Sequence, residues 1–301
     1  MMTEAQIALM VATNDFSTED GEEDLPVVEG ARPFIKSVGG KTQLLPVLRE
    51  WLPKRTPIYC EPFVGGGALF FALQTRHAYL SDMNPSLVAA YNAVRSDVDG
   101  VIASLRIYAE TYTRLAPDVA EQFYYHVRNN VNPSELSVTE HAAWMIFMNK
   151  TCFNGLWRVN ASGKFNVPFG KRAKPNICDE ETLRACSKAL EWATISHRDF
   201  RETNPPSGSV VYFDSPYEPL TKTSDFTSYT AGGFSAQDQK DLRDLALKLK
   251  QRGVYVLLSN SSAPLIRELY ADGFEIREVP ARRSVSASAD GRADVTELLI
   301  R

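Results

Sequence analysis

The stretch Val210-Val211-Tyr212-Phe213-Asp214-Ser215-Pro216-Tyr217 is the part of the sequence that most directly indicates the fold. Its first half, residues 210–213, is apolar and β-prone, which predicts a buried strand of a parallel sheet. An acid, two small or stiff residues and an aromatic ring follow this strand. Because ligands of open α/β sheets bind at the carboxyl ends of the strands, these groups are candidates for a binding site.

The four residues from Asp214 to Tyr217 suit the binding of a planar amine. A carboxylate and a backbone carbonyl both accept N–H groups, and an aromatic ring can stack on the face of a base. A strand that ends in an ordinary proline turn explains the same residues equally well, so the stretch alone leaves both interpretations open.

A second strand-like run ends in a glycine-rich turn. The β-prone residues before Glu61 lead into Gly65-Gly66-Gly67, and a helix is predicted from Ala68 to Gln74. Strand, glycine turn and helix form the usual geometry of nucleotide-cofactor sites, because glycine lets the backbone approach a ligand closely. The spacing is not GxGxxG, so the pattern does not indicate NAD.

Two further elements are compatible with a cofactor site. The predicted strand Ala78–Asp82 ends in an acid, which such folds use to bind a ribose diol, although Asp82-Met83-Asn84-Pro85 could also cap a helix that begins near Ser86. Upstream, the two glycines of Gly39-Gly40-Lys41 let the backbone approach a ligand closely, and the lysine places a positive point charge beside it. That short pattern is weak evidence by itself, since it is not a P-loop.

Length and composition indicate an ordinary globular protein. The 301 residues correspond to about two domains, and no stretch approaches the ~20 apolar residues of a membrane span. No secretory signal is visible at the N-terminus, so we expect a cytoplasmic protein. The four cysteines and four histidines have no ligand-like spacing, and we therefore expect reduced thiols and no metal.

Charge is unevenly distributed along the chain. Residues 1–30 contain eight acids and no Lys or Arg, and without those acids the net charge changes from −4 to +4. Between His141 and Ile177 there are six basic residues and no acid. A local basic run indicates binding partners better than the net charge does.

Helical periodicity dominates residues 87–148 and interrupts the alternating β/α pattern, with candidate helices at Leu87–Val94, Val101–Leu115, Val119–Asn129 and Glu135–Met148. A loop rich in Asn, Gly, basic and aromatic residues follows, which suits contacts with phosphates and base edges, although a solvated hairpin is the alternative. We predict an acidic disordered tail at 1–30, an α/β domain at 31–86 and 179–301, and an inserted helical domain with a basic hairpin loop at 87–178.

Taken together, these motifs resemble the Dam-type DNA adenine-N6 methyltransferases over nearly all of residues 33–301, in the motif order of the family's alpha group. The matching elements are Phe34-Ile35-Lys36 with Gly39-Gly40-Lys41, Glu61-Pro62-Phe63-Val64-Gly65-Gly66-Gly67, Asn154-Gly155-Leu156 with Arg158, Phe165 to Gly170, Asp214 with Tyr217, Ser259-Asn260, and Arg282-Arg283-Ser284. Each element is weak alone, and the ordered set is specific.

The resemblance implies an α/β fold: a Rossmann-like S-adenosylmethionine-dependent methyltransferase sheet, last strand antiparallel, with an inserted, mainly helical target-recognition domain. It implies that S-adenosylmethionine is the cofactor, S-adenosylhomocysteine the product and double-stranded DNA the partner. By position, the cofactor-binding residues are Ser37, Gly39, Gly40, Lys41, Glu61, Pro62, Phe63, Gly65, Gly67, Asp82, Asp199, Phe200 and Asp214. The catalytic residues are Asp214, Ser215, Pro216 and Tyr217. The DNA-binding residues are Lys150, Phe153, Asn154, Leu156, Arg158, Pro168, Lys171, Arg172, Arg282, Arg283 and Ser284.

The implied reaction is methylation of the exocyclic N6 of an adenine that has left the duplex. Base flipping costs a few kcal/mol, which contacts from the inserted domain must recover. The loop follows the Dam pattern, so we expect recognition of 5′-GATC with Arg158 on the guanine, a contact that contributes about 1–3 kcal/mol of discrimination.

Two positions depart from the family's pattern. The family usually has Trp at the position of Ser37 and Pro at the position of Ser215. A serine keeps the backbone carbonyl that would accept an amine hydrogen, but it loses the fixed φ of proline. We therefore expect an active enzyme whose site is less preorganised.

Two other functions remain open from the sequence. A catalytically weak DNA-binding relative, such as a regulator or a phage decoy, is compatible with Ser215. Methylation of RNA or of a protein amide is disfavoured, because such enzymes more often have Asn at the position of Asp214. We expect a monomer without membrane association, and the sequence does not identify a restriction partner.

Overall fold

The computed structural model describes residues 27–37, 39–160, 162–172, 174–220, 233–282 and 294–301. Two predictions lie outside these ranges: the acidic segment up to residue 26, and the predicted DNA-binding residues Arg283 and Ser284. Within the described part, Val28 donates from its backbone N–H to Gln74 Oε1 at 2.7 Å and accepts from Gln74 Nε2 at 3.0 Å. The chain is therefore attached to the sheet domain from residue 28 onward.

A seven-stranded sheet forms the centre of the molecule, with strand order β3-β2-β1-β4-β5-β7-β6. The strands are β1 Ile58–Glu61, β2 His77–Asp82, β3 Thr194–His197, β4 Val210–Phe213, β5 Tyr255–Ser261, β6 Ile276–Arg282 and β7 Asp294–Ile300. Neighbouring strands from β3 to β5 are parallel, and β7 pairs antiparallel with both β5 and β6. The predicted Rossmann-like sheet with an antiparallel last strand is confirmed.

Strand β4 is apolar throughout because both faces of the sheet are covered. Val210 and Tyr212 belong to one core cluster, whereas Val211 and Phe213 belong to a second cluster on the opposite face. A strand buried on both faces has no polar side to alternate with. The run at 210–213 therefore predicted its strand with the observed bounds.

Nine α-helices lie in the described ranges, together with short 3-10 turns. They are α1 Leu45–Trp51, α2 Ala68–Leu73, α3 Pro85–Ser96, α4 Val98–Thr113, α5 Pro117–Asn130, α6 Val138–Thr151, α7 Glu180–Ala189, α8 Ala236–Gln251 and α9 Pro264–Leu269.

Capping residues determine where several of these helices begin. We predicted a helix from Glu135, but α6 begins at Val138 because Ser137 and Glu140 form a reciprocal capping box. Helix α3 begins after Asn84, whose side chain accepts the backbone N–H groups of Ser86 and Leu87. This side-chain cap stabilises the helix that follows β2.

The helices between β2 and β3 share one core cluster with the sheet. Tyr108 of α4 stacks on Phe147 of α6 with ring centroids 4.8 Å apart. Tyr91 of α3 reaches the turn after β1 and donates to the carbonyl of Gly65 at 3.1 Å. The helical part of the chain is thus packed directly against the strand ends.

The turn after β1 requires glycine at position 67 for two reasons. Gly67 has a φ of +64°, a conformation that costs other residues free energy. A Cβ at this position would also lie only 2.8 Å from the hydroxyl of Tyr91. Backbone conformation and close packing therefore both exclude a side chain.

We predict that Gly67→Ala lowers the free energy of unfolding by about 2–5 kcal/mol, the combined effect of left-handed strain and overpacking. Gly208→Ala is the matched control, because Gly208 has a φ of +81° and nothing within 4 Å of the added Cβ. The control should lose only about 1–2 kcal/mol. Equal losses in denaturant unfolding of the two variants would contradict the packing argument.

Candidate active site at the carboxyl edge of the sheet

Three acids meet at the carboxyl edge of the sheet. Glu61 ends β1, Asp82 ends β2 and Asp214 follows β4. Strand β1 lies between β2 and β4 and is parallel to both. The parallel register therefore brings the three carboxyl groups to one side of the sheet, the side where open α/β sheets bind ligands.

Asp214 is held by two donors on the same oxygen. Lys41 Nζ lies 2.8 Å from Asp214 Oδ1, and the hydroxyl of Ser259 donates to that oxygen at 2.9 Å. Lys41 is 4% exposed. Burial alone lowers the pKa of Lys41, but the Asp214 carboxylate outweighs this effect, so the pKa lies above its ordinary value. The lysine is a fixed positive charge.

The ring of Tyr217 is also fixed. Its hydroxyl donates to Glu297 Oε2 at 2.6 Å, and Lys41 Nζ lies 4.7 Å from the ring centroid. Burial and the neighbouring carboxylates Asp214 and Glu297 raise the pKa of Tyr217. The phenol therefore stays neutral, and its ring is oriented by both contacts.

Glu61 is a buried acid with an altered proton affinity. It is 2% exposed and accepts a hydrogen bond from the hydroxyl of Tyr59 at 2.8 Å. Burial raises the pKa of Glu61 to about 8, aided by the charge of Asp214, although the Tyr59 hydrogen bond opposes the shift. The group is therefore protonated at neutral pH, and a nearby cation would convert it to the carboxylate.

Asp82 stabilises the glycine turn from the neighbouring strand. Its carboxylate accepts the backbone N–H of Gly65 at 3.1 Å and that of Asn84 at 2.9 Å. Burial raises the pKa of Asp82, and these hydrogen bonds partly offset the effect. Ser37 lies against the same turn, since a Cβ on Gly65 would be 3.0 Å from its hydroxyl oxygen.

A cluster of three phenylalanines lies beside the turn. Phe63 stacks on Phe200 with centroids 5.3 Å apart, and Phe234 packs edge-on against Phe63 at 5.8 Å. Asp199 precedes this cluster and accepts the backbone N–H of Arg201 at 2.8 Å. The predicted pair Asp199 and Phe200 is thus adjacent to the glycine-turn residue Phe63, and Phe234 is an addition that the sequence did not indicate.

A second group of predicted residues forms the loop after α6. Two isolated bridges, Cys152 with Phe169 and Val159 with Phe165, join its two sides as an antiparallel hairpin. Phe153 at its start is 41% exposed, and Arg158 is held by Asn166, whose Oδ1 accepts from Nε at 2.8 Å. The exposed predicted DNA-binding residues in this loop are Phe153, Arg158, Pro168, Lys171 and Arg172.

Asn149 joins this hairpin to the segment that contains the predicted cofactor residues. Its Oδ1 accepts the backbone N–H of Lys36 at 2.8 Å, and its Nδ2 donates to the carbonyls of Lys36 and Gly155 at 2.9 and 3.0 Å. Asn149 is 1% exposed. The start of the hairpin is therefore fixed relative to residues 36 and 37.

Positive charge concentrates next to this junction. Burial lowers the pKa of Lys36 to about 8, together with the smaller effects of the charges on Arg172 and Lys150. Burial likewise lowers the pKa of Lys150. Burial and, to a smaller extent, like-charged neighbours disfavour the charged form of both lysines, so a bound anion would stabilise that form.

The structure brings together Lys41, Glu61, Asp82, Asp214 and Tyr217, and Asn149 joins the start of the hairpin to the neighbouring Lys36. Arg282 ends β6, and nothing further is described of its side chain. Sequence reasoning missed Glu297, Gln239 and the role of Ser259. The available signals were the polar pair Ser259-Asn260 at the end of an apolar strand and the acid within the apolar run at 295–300.

The described residues contain neither a membrane-spanning helix nor a metal-binding cluster. No described helix has the length and apolarity needed to cross a membrane. Within the same ranges, no group of three or more His, Cys, Asp or Glu side chains is arranged to hold a metal ion.

Comparison with known proteins gives consistent matches over most of the chain. The model of the D12 class N6 adenine-specific DNA methyltransferase family matches residues 37–285. A type II methyltransferase, M.MjaIII of Methanocaldococcus jannaschii, is 41% identical over 284 residues, covering 89% of this chain and 98% of that protein. The DNA adenine methylase of Vibrio cholerae is 35% identical over 271 residues, covering 89% and 95% of the two chains. That of Escherichia coli K12 is 34% identical, covering 89% and 94%.

Proposed function

The chain belongs to the D12 class N6 adenine-specific DNA methyltransferases, and we propose that residues 214–217 hold its target adenine during site-specific methyl transfer. The protein is thus an adenine-specific DNA methyltransferase of the Dam-type family. The observation that carries the proposal is the fixed arrangement of Asp214 and Tyr217. One oxygen of the carboxylate is bound by Lys41 and Ser259, and the ring three residues later is held by Glu297.

The chemistry required of these residues is mainly positioning. The exocyclic amine of adenine is a poor nucleophile because its lone pair is delocalised into the ring. S-adenosylmethionine, when bound, supplies a methyl group on a positively charged sulfur that an amine nitrogen can attack directly. The protein then contributes orientation and electrostatic stabilisation.

Three groups of the clamp, defined as residues 214–217, have an assigned role. Since Lys41 and Ser259 both act on Asp214 Oδ1, we assign Oδ2 to one amine hydrogen. The carbonyl oxygen of Ser215 accepts the other hydrogen, so that the nitrogen lone pair points out of the base plane. The ring of Tyr217 stacks on the base, which restricts its tilt.

The cofactor is assigned to the carboxyl edge of the sheet beside the clamp. Glu61 fits the cationic methionine part, because a buried carboxyl with a raised pKa gains most from a nearby positive charge. Asp82 suits the ribose hydroxyls, and the glycine turn lets the backbone approach the cofactor closely. Phe63 is half-buried and stacks on the buried Phe200, and we assign this pair to the apolar contact with the adenine of the cofactor.

The DNA partner is assigned to the hairpin after α6 and to its basic surroundings. Phe153 is exposed at the start of the hairpin, which suits an aromatic side chain that enters the duplex as the adenine leaves it. Flipping costs a few kcal/mol, and the positive charges at Lys36, Lys150 and Arg172 contribute phosphate attraction. We assign 5′-GATC as the recognised sequence, with Arg158 reading the guanine.

Removal of the Asp214 carboxylate tests the clamp. With labelled S-adenosylmethionine and unmethylated duplex DNA, we expect Asp214→Asn to lower the single-turnover rate by about a hundredfold or more, since an aligned acceptor is lost. Asp244→Asn is the matched control, because the Asp244 side chain is 66% exposed on α8. A rate for Asp214→Asn within about tenfold of the parent enzyme would rule out this role.

Cofactor binding is expected to release a proton from Glu61 at pH 7. The unbound carboxyl has a pKa of about 8 and is protonated, whereas a bound cation favours the carboxylate. The affinity for S-adenosylmethionine should therefore rise from pH 6 to pH 8 and then level off. Calorimetric titration in two buffers of different ionisation enthalpy measures the release. Glu61→Gln should lose it, and an equal release from that variant would contradict the assignment.

Recognition of guanine by Arg158 is tested by a change in specificity. We expect Arg158→Ala to reduce discrimination at the guanine by about 1–3 kcal/mol, measured as the ratio of methylation rates on 5′-GATC and on duplexes with that base replaced. Lys164→Ala in the same hairpin is the control and should change all rates alike. If plasmid methylated by the parent enzyme stays resistant to a nuclease that requires methylated GATC, the sequence assignment is wrong.

A further inference from the structure

Two buried amides lie directly behind the clamp. Gln239 belongs to α8 and Asn260 to β5, and they are 0% and 1% exposed. Asn260 Nδ2 donates to Gln239 Oε1 at 3.1 Å, so the two side chains form one hydrogen-bonded unit. Buried polar groups are costly unless they are paired. The remaining donor of Gln239 and the remaining acceptor of Asn260 therefore need partners as well.

The amide pair binds the backbone of the clamp. Gln239 Nε2 donates to the carbonyl of Pro216 at 3.1 Å, and the backbone N–H of Glu218 donates to Asn260 Oδ1 at 3.1 Å. The hydroxyl of Ser261 donates to the carbonyl of Glu218 at 2.6 Å. These bonds connect two separate elements, α8 and β5, to consecutive peptide groups after Ser215.

Ser215 is itself enclosed by this network. Its side chain is 2% exposed, and Asn260 Nδ2 lies 3.5 Å from its hydroxyl oxygen, at the limit of a hydrogen bond. Position 215 has no proline ring to restrict its own φ. A proline at position 215 would restrict rotation about its own φ. Here, hydrogen bonds to the peptide groups that follow Ser215 oppose that rotation.

We propose that Gln239 and Asn260 are positioning residues that fix the direction of the Ser215 carbonyl that accepts the amine hydrogen, and that this chain depends on them more strongly because position 215 lacks the fixed φ of proline. This inference rests on the clamp assigned above. Neither side chain touches the base. They act through the backbone of residues 216–218, and their contribution should appear in the rate of transfer rather than in the binding of either substrate.

A double-mutant cycle separates this role from general stability. Gln239→Met removes the donor to Pro216 with little change in volume, and Ser215→Pro restores a fixed φ. We expect Gln239→Met to slow single-turnover transfer about tenfold in the parent enzyme and less than about threefold in the Ser215→Pro background, because misplaced groups lose alignment. Dissociation constants for S-adenosylmethionine and duplex DNA should stay within about threefold, since neither ligand contacts Gln239.

Gln237→Met is the matched control on the same helix. Gln237 is exposed, and its side chain donates to Asp241. It should leave the rate unchanged in both backgrounds. If Gln239→Met does not fold, Asn260→Asp replaces it in the cycle, because that change keeps the shape of the side chain and loses the Nδ2 donor, and the expectations are the same.

Parent rates in Gln239→Met, or equal losses in the parent and Ser215→Pro backgrounds, would overturn the inference. The Asp214→Asn variant distinguishes a failure of the clamp from a failure of the amide pair. If it stays active, the clamp itself is wrong. If it is inactive while the cycle shows equal losses, only the positioning role of the amide pair is wrong.

Discussion

A buried ion pair between Lys41 and Asp214 connects the parts of the active site that come from distant segments of the sequence. The lysine lies in the segment before α1, and the acid follows the central strand β4. The same ammonium lies over the Tyr217 ring. Breaking such a pair would leave an uncompensated charge in a largely buried position, which is strongly unfavourable. The pair therefore constrains the segment, the carboxylate and the ring together.

The surroundings of the clamp are fixed from two sides. Lys41 and Ser259 hold one oxygen of Asp214, while Gln239 and Asn260 hold the backbone that follows Ser215. Hydrogen bonds that are already formed before the reaction need little rearrangement while it takes place. A reaction that needs mainly orientation of a weak nucleophile is well served by such rigidity.

The sequence predicted the elements that depend on local pattern. Strand β4 was predicted with its observed bounds because burial on both faces leaves a continuous apolar run, and the glycine turn was predicted because glycine adopts left-handed conformations at the least cost. The beginning of α6 was misplaced, since the capping residue Ser137 outweighed the apolar periodicity. The contacts of Asp214 with Ser259 and of Pro216 with Gln239 join positions 45 and 23 residues apart. Such pairings arise from tertiary packing, and a single sequence does not specify which of its polar positions meet.

The most direct measurement of the central claim is a structure of the enzyme bound to 5′-GATC duplex DNA and a non-reactive cofactor analogue. The account predicts an adenine outside the duplex, with its amine nitrogen within hydrogen-bond distance of Asp214 Oδ2 and of the Ser215 carbonyl oxygen, and with Tyr217 stacked on the base. An extruded adenine whose amine contacts neither oxygen would contradict it.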